Sequence, residues 1–104
     1  MRNMEDVFKA INESKLDQCL LLDVRTEEEF RGGHISGALN LPHDSINSDE
    51  VEKLKNYQRV IVFCQMGGRA GMAYHTLNAS GLKNVVCIDE NGMAYWYEQG
   101  YPTV

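Results

Sequence analysis

Three short apolar runs constrain this chain more than anything else in it: Leu20-Leu21-Leu22-Asp23-Val24, Val60-Ile61-Val62-Phe63 and Val85-Val86-Cys87-Ile88. Each lacks the polar alternation of a half-exposed strand. Each is shorter than a buried helix needs. Continuous runs of this length suit strands covered on both faces of a parallel sheet. Helical patterns separate them, and strands alternating with helices give an α/β fold. Right-handed crossovers then place helices on both faces of the sheet. All strand C-termini share one edge, where open parallel sheets bind ligands. That edge carries Asp23-Val24-Arg25, the stretch after Phe63, and the turn Asp89 to Gly92.

The intervening segments carry their own signals. Met4 to Ser14 places Val7, Phe8 and Ile11 at helical spacing, with Asn3 as cap. Thr26-Glu27-Glu28-Glu29-Phe30 is a capping box whose glutamates read as a solvated helix start, ended by Gly32-Gly33. His34 to Pro42 reads as a turn and a short extended segment, with His34 structural and His43 facing solvent. Ser48-Asp49-Glu50-Val51 opens a helix with Val51 and Leu54 inward. Ala70 to Leu77 forms another, with Ala70, Ala73 and Leu77 inward, His75 facing solvent and a Schellman-type stop at Gly81-Leu82. Gly71 inside that helix costs about 1 kcal/mol against alanine, which points to close packing or a loose first turn. Met93 and Trp96 start a short helix that stops at Gly100. Cys19 and Cys87 read as core. Asp23 and Arg25 read as an ion pair that holds a loop.

At 104 residues the sequence reads as one domain, residues 1–104. A net charge of −5 without a basic run argues against nucleic acid and anionic membrane as partners. No apolar stretch reaches the roughly 20 residues of a membrane span, and the N-terminus lacks a signal-peptide core. Three scattered cysteines argue for a reducing, cytoplasmic setting over a disulfide framework. No spacing of His and Cys suits a metal, and no cofactor is expected.

The chemistry concentrates in Cys64-Gln65-Met66-Gly67-Gly68-Arg69. A cysteine ends a strand, a glycine pair lets the backbone curl, and a helix begins. This context aims several backbone N–H groups and the positive end of a helix dipole at one spot. A thiolate there would be stabilised. Making an ordinary thiol mostly ionised at neutral pH takes about 2.7 kcal/mol. Two or three charge-assisted N–H bonds of about 1.5–3 kcal/mol each supply it without a histidine base.

Four stretches together resemble the rhodanese domain family. They are Leu22-Asp23-Val24-Arg25 with Glu28-Glu29-Phe30; Gly33-His34-Ile35-Ser36-Gly37-Ala38 with Asn40 and Pro42; Val62-Phe63-Cys64 through Gly67 and Arg69; and Gly92-Met93 with Trp96 and Gly100-Tyr101-Pro102. The resemblance implies a rhodanese-like fold: a five-stranded parallel sheet with helices on both faces. It implies a sulfurtransferase in which Cys64 takes a sulfane sulfur from a donor such as thiosulfate or a persulfide. The sulfur then passes to cyanide or a thiol, including a protein thiol. By position, the amides of Gln65, Met66, Gly67, Gly68 and Arg69 form the cradle, and Arg69 anchors an anionic donor or the loop itself. A monomer is the expected state.

The sequence departs from that family in ways that bear on the donor. Ala70 stands where serine is common. Asn91 replaces the first of a glycine pair, a position where asparagine tolerates left-handed backbone. Gln65 and Met66 are uncharged where thiosulfate-preferring members carry cations, which disfavours tight binding of the thiosulfate dianion. Two other readings use the same residues. One is a non-catalytic, regulatory rhodanese-like interaction module. The other is a cysteine phosphatase, but only four residues separate Cys64 from Arg69, against five in phosphatase loops, and the tighter ring suits one sulfur atom.

Overall fold

A computed structural model describes residues 1–104. In chain order the elements are α1 (Met4–Asn12), β1 (Cys19–Asp23), α2 (Glu27–Arg31), β2 (Leu39–Asn40), α3 (Ser48–Leu54), β3 (Arg59–Phe63), α4 (Gly68–Ala79), β4 (Val85–Cys87) and α5 (Met93–Glu98). The strands form one parallel sheet in the order β2-β1-β3-β4. β1 and β3 pair over five residues, from Cys19↔Arg59 to Asp23↔Phe63, and make the centre of the sheet. No helix is long and apolar enough to cross a membrane.

The strand period of two sorts side chains between two cores. Leu20, Leu22 and Val24 of the first run, with Val60, Val62 and Cys64 of the next, face α3 and α4, where Val51, Leu54, Ala70, Ala73 and Leu77 meet them. Leu21, Ile61 and Phe63 face the other way, onto Met4 and Val7 of α1 and Met93 and Trp96 of α5. Helices therefore cover both faces. Cys64 continues the β3 alternation, so its side chain lies on the α3–α4 side.

The sheet has four strands, not the five that the resemblance implies. Near the start of the chain, Asn3 goes straight into its cap role, its side chain accepting from the Asp6 amide, and α1 follows at once. At the other end, Val104 exchanges both backbone hydrogen bonds with His34 (3.2 and 2.8 Å), but one bridged pair makes no ladder.

Other local readings hold with small shifts. α4 begins at Gly68, two residues earlier than its apolar stripe suggests, so Arg69 lies in its first turn. In α1 the buried stripe is Met4, Val7 and Ala10, and Ile11 is exposed. Cys19 and Cys87 are half-buried at the margins of the cores, not inside them. His43 is half-buried, its amide bound to the Val24 carbonyl. Gly71 is not packed closely: a Cβ there would meet open space. Asn91 is not left-handed; its Oδ1 accepts from the Met4 amide at 2.8 Å and joins the β4–α5 turn to the start of α1.

Candidate active site

Cys64 is 1% exposed, and two main-chain amides converge on its sulfur: Gly67 N–H donates to Sγ at 3.1 Å and Ala70 N–H at 3.3 Å. Ala70 lies one residue beyond the expected cradle. Its amide belongs to the first turn of α4, whose unpaired N–H groups and dipole both favour negative charge. Gly67 precedes that helix with φ of 117°, a left-handed value that L side chains resist. A Cβ there would also stand 2.5 Å from the Asp89 carbonyl oxygen. Both facts require glycine at the point where the loop turns back on the sulfur.

The outer side of the loop is tied to α5. Met93 N–H donates to the Cys64 carbonyl at 2.9 Å and Ala94 N–H to the Gln65 carbonyl at 3.1 Å. Gly92 makes this approach possible, since a Cβ would strike both of those carbonyl groups. The carbonyls are drawn outward by the start of one helix. The amides that follow in the loop turn inward at the start of another.

Beneath the loop lies a buried ion pair. Asp23 and Arg25 are 0% and 1% exposed, and every N–H of the guanidinium is used. Nε bonds the Asp23 carboxylate at 3.0 and 3.1 Å, and Nη2 reaches Asp23 Oδ2 at 2.8 Å and the Gly33 carbonyl at 3.0 Å. Nη1 donates to Gln65 Oε1 at 3.1 Å and to the Tyr97 hydroxyl oxygen at 2.9 Å; that hydroxyl in turn donates to the Gly33 carbonyl. Burial disfavours the charge on Arg25. The hydrogen bonds of Asp23 and Tyr97 outweigh it and raise the guanidinium above its ordinary pKa. Asn40 Nδ2 adds bonds to the carbonyls of Asp23 and Arg25 at 3.1 and 3.0 Å. The expected loop-holding pair is thus the centre of a network joining β1, the Cys64 loop, the α2–β2 turn and α5.

Arg69 is engaged by a residue that sequence reasoning assigned elsewhere. Its Nη1 and Nη2 donate to Glu29 Oε1 and Oε2 at 2.6 and 2.9 Å. Glu29 also closes the capping box, with Oε1 accepting from the Thr26 amide and hydroxyl, both at 3.1 Å. The Arg69 hydrogen bond, despite an opposing effect of burial and with help from Thr26, lowers the Glu29 carboxyl to about 2. The glutamate seen in sequence as a solvated helix start is half-buried against the loop.

The remaining site candidates divide in two. Gln65 is half-buried and held by Arg25, whereas Met66 at the tip is 71% exposed and Gly68 is exposed. His34 is structural: Nδ1 donates to the Phe30 carbonyl at 2.9 Å and the ring stacks on Phe30 at 3.7 Å. No group of three metal-ligating side chains comes together.

Comparison with known proteins places the domain. The sequence profile of the rhodanese-like domain matches residues 4–99. Thiosulfate sulfurtransferase 16, chloroplastic, of Arabidopsis thaliana is 36% identical over 96 residues, covering 79% of this chain and 77% of that protein. An uncharacterized protein of Synechocystis sp. is 32% identical over 88 residues, 85% of this chain; the chain spans only 48% of that relative's length. A crystal structure of a rhodanese-related protein from Thermoplasma volcanium superposes with a TM-score of 0.79 at 29% identity, covering 98% of this chain and 94% of that one.

Proposed function

The chain belongs to the rhodanese-like domain family, and we propose that it is a sulfurtransferase whose nucleophile is Cys64. The observation that carries this reading is the pair of amides, Gly67 and Ala70, donating to a buried Sγ that no side chain touches with a hydrogen bond. In the first step the Cys64 thiolate attacks the sulfane sulfur of a donor. The new S–S bond forms as the donor's own bond to that sulfur breaks. The bonding pair leaves with the donor remainder, which is sulfite when the donor is thiosulfate. In the second step cyanide or an acceptor thiolate attacks the terminal sulfur of the Cys64 persulfide. Sγ departs with its electron pair and returns to the Gly67 and Ala70 amides, which stabilise the leaving thiolate. Each step conserves charge and needs no group outside the loop.

Size and exposure support a sulfur atom as cargo. The ring closes from Cys64 to Ala70 around a single Sγ. Arg69, which a phosphatase would turn on a phosphoryl group, is held by Glu29. An uncharged methionine at the tip, 71% exposed, suits a donor or acceptor thiol carried on a protein surface.

The test is incubation with thiosulfate, and separately with a persulfide donor, followed by intact mass measurement. The expected result is a gain of one sulfur at Cys64, removed by cyanide and absent in Cys64→Ser. Sulfur carried at Cys19 or Cys87 instead would overturn the assignment.

A further inference from the structure

We propose that Glu29 sets the charge of the sulfur donor. By holding Arg69 in a two-pronged ion pair, it withdraws the only guanidinium of the nucleophile's loop from substrate. The site then favours sulfane-sulfur donors with one negative charge or none over dianionic donors. The proposal rests on the sulfur-transfer reading above and names the donor class of that site.

The geometry is specific. The two Arg69–Glu29 contacts, 2.6 and 2.9 Å, form a fork-to-carboxylate pair, the same geometry with which an arginine would grip an anionic donor. Glu29 cannot easily swing aside, because the Thr26 amide and hydroxyl hold Oε1 from the helix side. Its carboxylate stays charged at any working pH. The other guanidinium near the loop, Arg25, has all five N–H groups occupied and is neutralised by Asp23. The tip residues Gln65 and Met66 carry no charge, and the whole chain is at −5. These two pairs sum to zero charge inside a negative field. The loop amides can stabilise one anionic sulfur, but nothing in place compensates the second charge of a dianion. Glu29 acts here through Arg69 and is a positioning residue.

Glu29→Gln separates the roles of this side chain. Its amide oxygen still accepts from Thr26 and preserves the helix cap, but the charge that masks Arg69 is gone. Thiosulfate, a dianion, and benzenethiosulfonate, a monoanion, both deliver a sulfane sulfur and leave as sulfite and sulfinate. In Glu29→Gln the kcat/KM ratio of thiosulfate to benzenethiosulfonate is expected to rise about tenfold, with the gain in KM and not in kcat. Adding Arg69→Gln should cancel that gain. Arg69→Gln alone should move the ratio by less than about threefold, because the masked guanidinium contributes little to the dianion. In the unaltered protein, added salt should weaken neither donor and should help thiosulfate the more, since screening relieves repulsion by a negative chain, whereas an uncovered cation would make thiosulfate lose the more. Should the variants fail to fold, this salt comparison decides. An unmoved ratio in folded Glu29→Gln, or thiosulfate weakened selectively by salt, overturns the proposal. Failure of every donor to place sulfur on Cys64 would instead overturn the sulfur-transfer reading itself.

Discussion

The two edges of the sheet each carry a cysteine, and they differ in what the backbone does around it. At the C-terminal edge Cys64 is almost fully buried, with the Gly67 and Ala70 amides on its sulfur and no large cavity beside it. At the N-terminal edge Cys19 is half-buried. It lines a cavity of about 610 Å³ with Phe8, Leu16, Ile35 and Trp96, and no N–H group donates to its sulfur. Volume and accessibility favour Cys19; oriented donors favour Cys64. Oriented N–H groups stabilise a thiolate, and room for a ligand is a separate property. The loop leading to β1 bends through Ser14 and Gln18, both left-handed without being glycine, but it aims no amide at the cavity's thiol.

The sharpest way to break this comparison is to exchange the two thiols' fates. Cys64→Ser should lower sulfur transfer by at least about a thousandfold, as loss of a nucleophile does. Cys19→Ser should leave sulfur loading at Cys64 intact, read by intact mass. The reverse pattern would mean that accessibility decides.

The next effect is on stability. Arg25→Met strands a buried Asp23 carboxylate and should cost about 3–5 kcal/mol in denaturant unfolding. No comparable buried charge lines the cavity at the other edge. Exposed pairs such as Arg31–Glu27 should cost no more than about 1 kcal/mol when broken.

Glycines sharpen the contrast further. Gly92→Ala drives a methyl into the Cys64 and Gln65 carbonyls and should destabilise by about 3 kcal/mol. Gly37→Ala, beside the cavity, has a φ of 85° but open space around it, and should cost only about 1 kcal/mol. Equal losses would show that the loop at Cys64 tolerates displacement.

The smallest effect is in acid. The Glu29 carboxyl is lowered from 4.5 to about 2 by Arg69 and Thr26. A depressed carboxyl contributes stability that is complete above its unfolded value and lost as pH falls through the folded one. The advantage of the native protein over Glu29→Gln should therefore fade between about pH 4.5 and pH 2. With both partners partly exposed it amounts to about 1 kcal/mol at neutral pH. Parallel unfolding curves at several pH values measure it.

These residues also show what a sequence reveals and why. The Cys64 loop was legible because strand, glycine pair and helix start are contiguous. Asp23 and Arg25 were legible because they are two residues apart at a strand end. Glu29 was not, because its capping box already accounted for it and its second partner lies 40 residues away. The clamp of α5 on the loop was equally hidden, since it joins backbone groups and leaves no mark on side-chain type beyond Gly92. The count of five strands comes from the family resemblance; the three apolar runs and the short extended segment read from the residues themselves are the four strands of the sheet, β2 being the shortest with two residues.

The bonds from the amides of Met93 and Ala94 to the Cys64 and Gln65 carbonyls turn the start of α5 into a reporter. Those two protons hold the carbonyls that open the loop, upstream of the Gly67 and Ala70 amides that donate to the sulfur. On the proposed sulfur transfer, any shift of the loop on forming a persulfide would lengthen, shorten or tilt these bonds. Their resonances in a nitrogen–proton correlation spectrum, and their exchange with deuterium, would gauge the proposed loaded and empty states without labelling the cysteine.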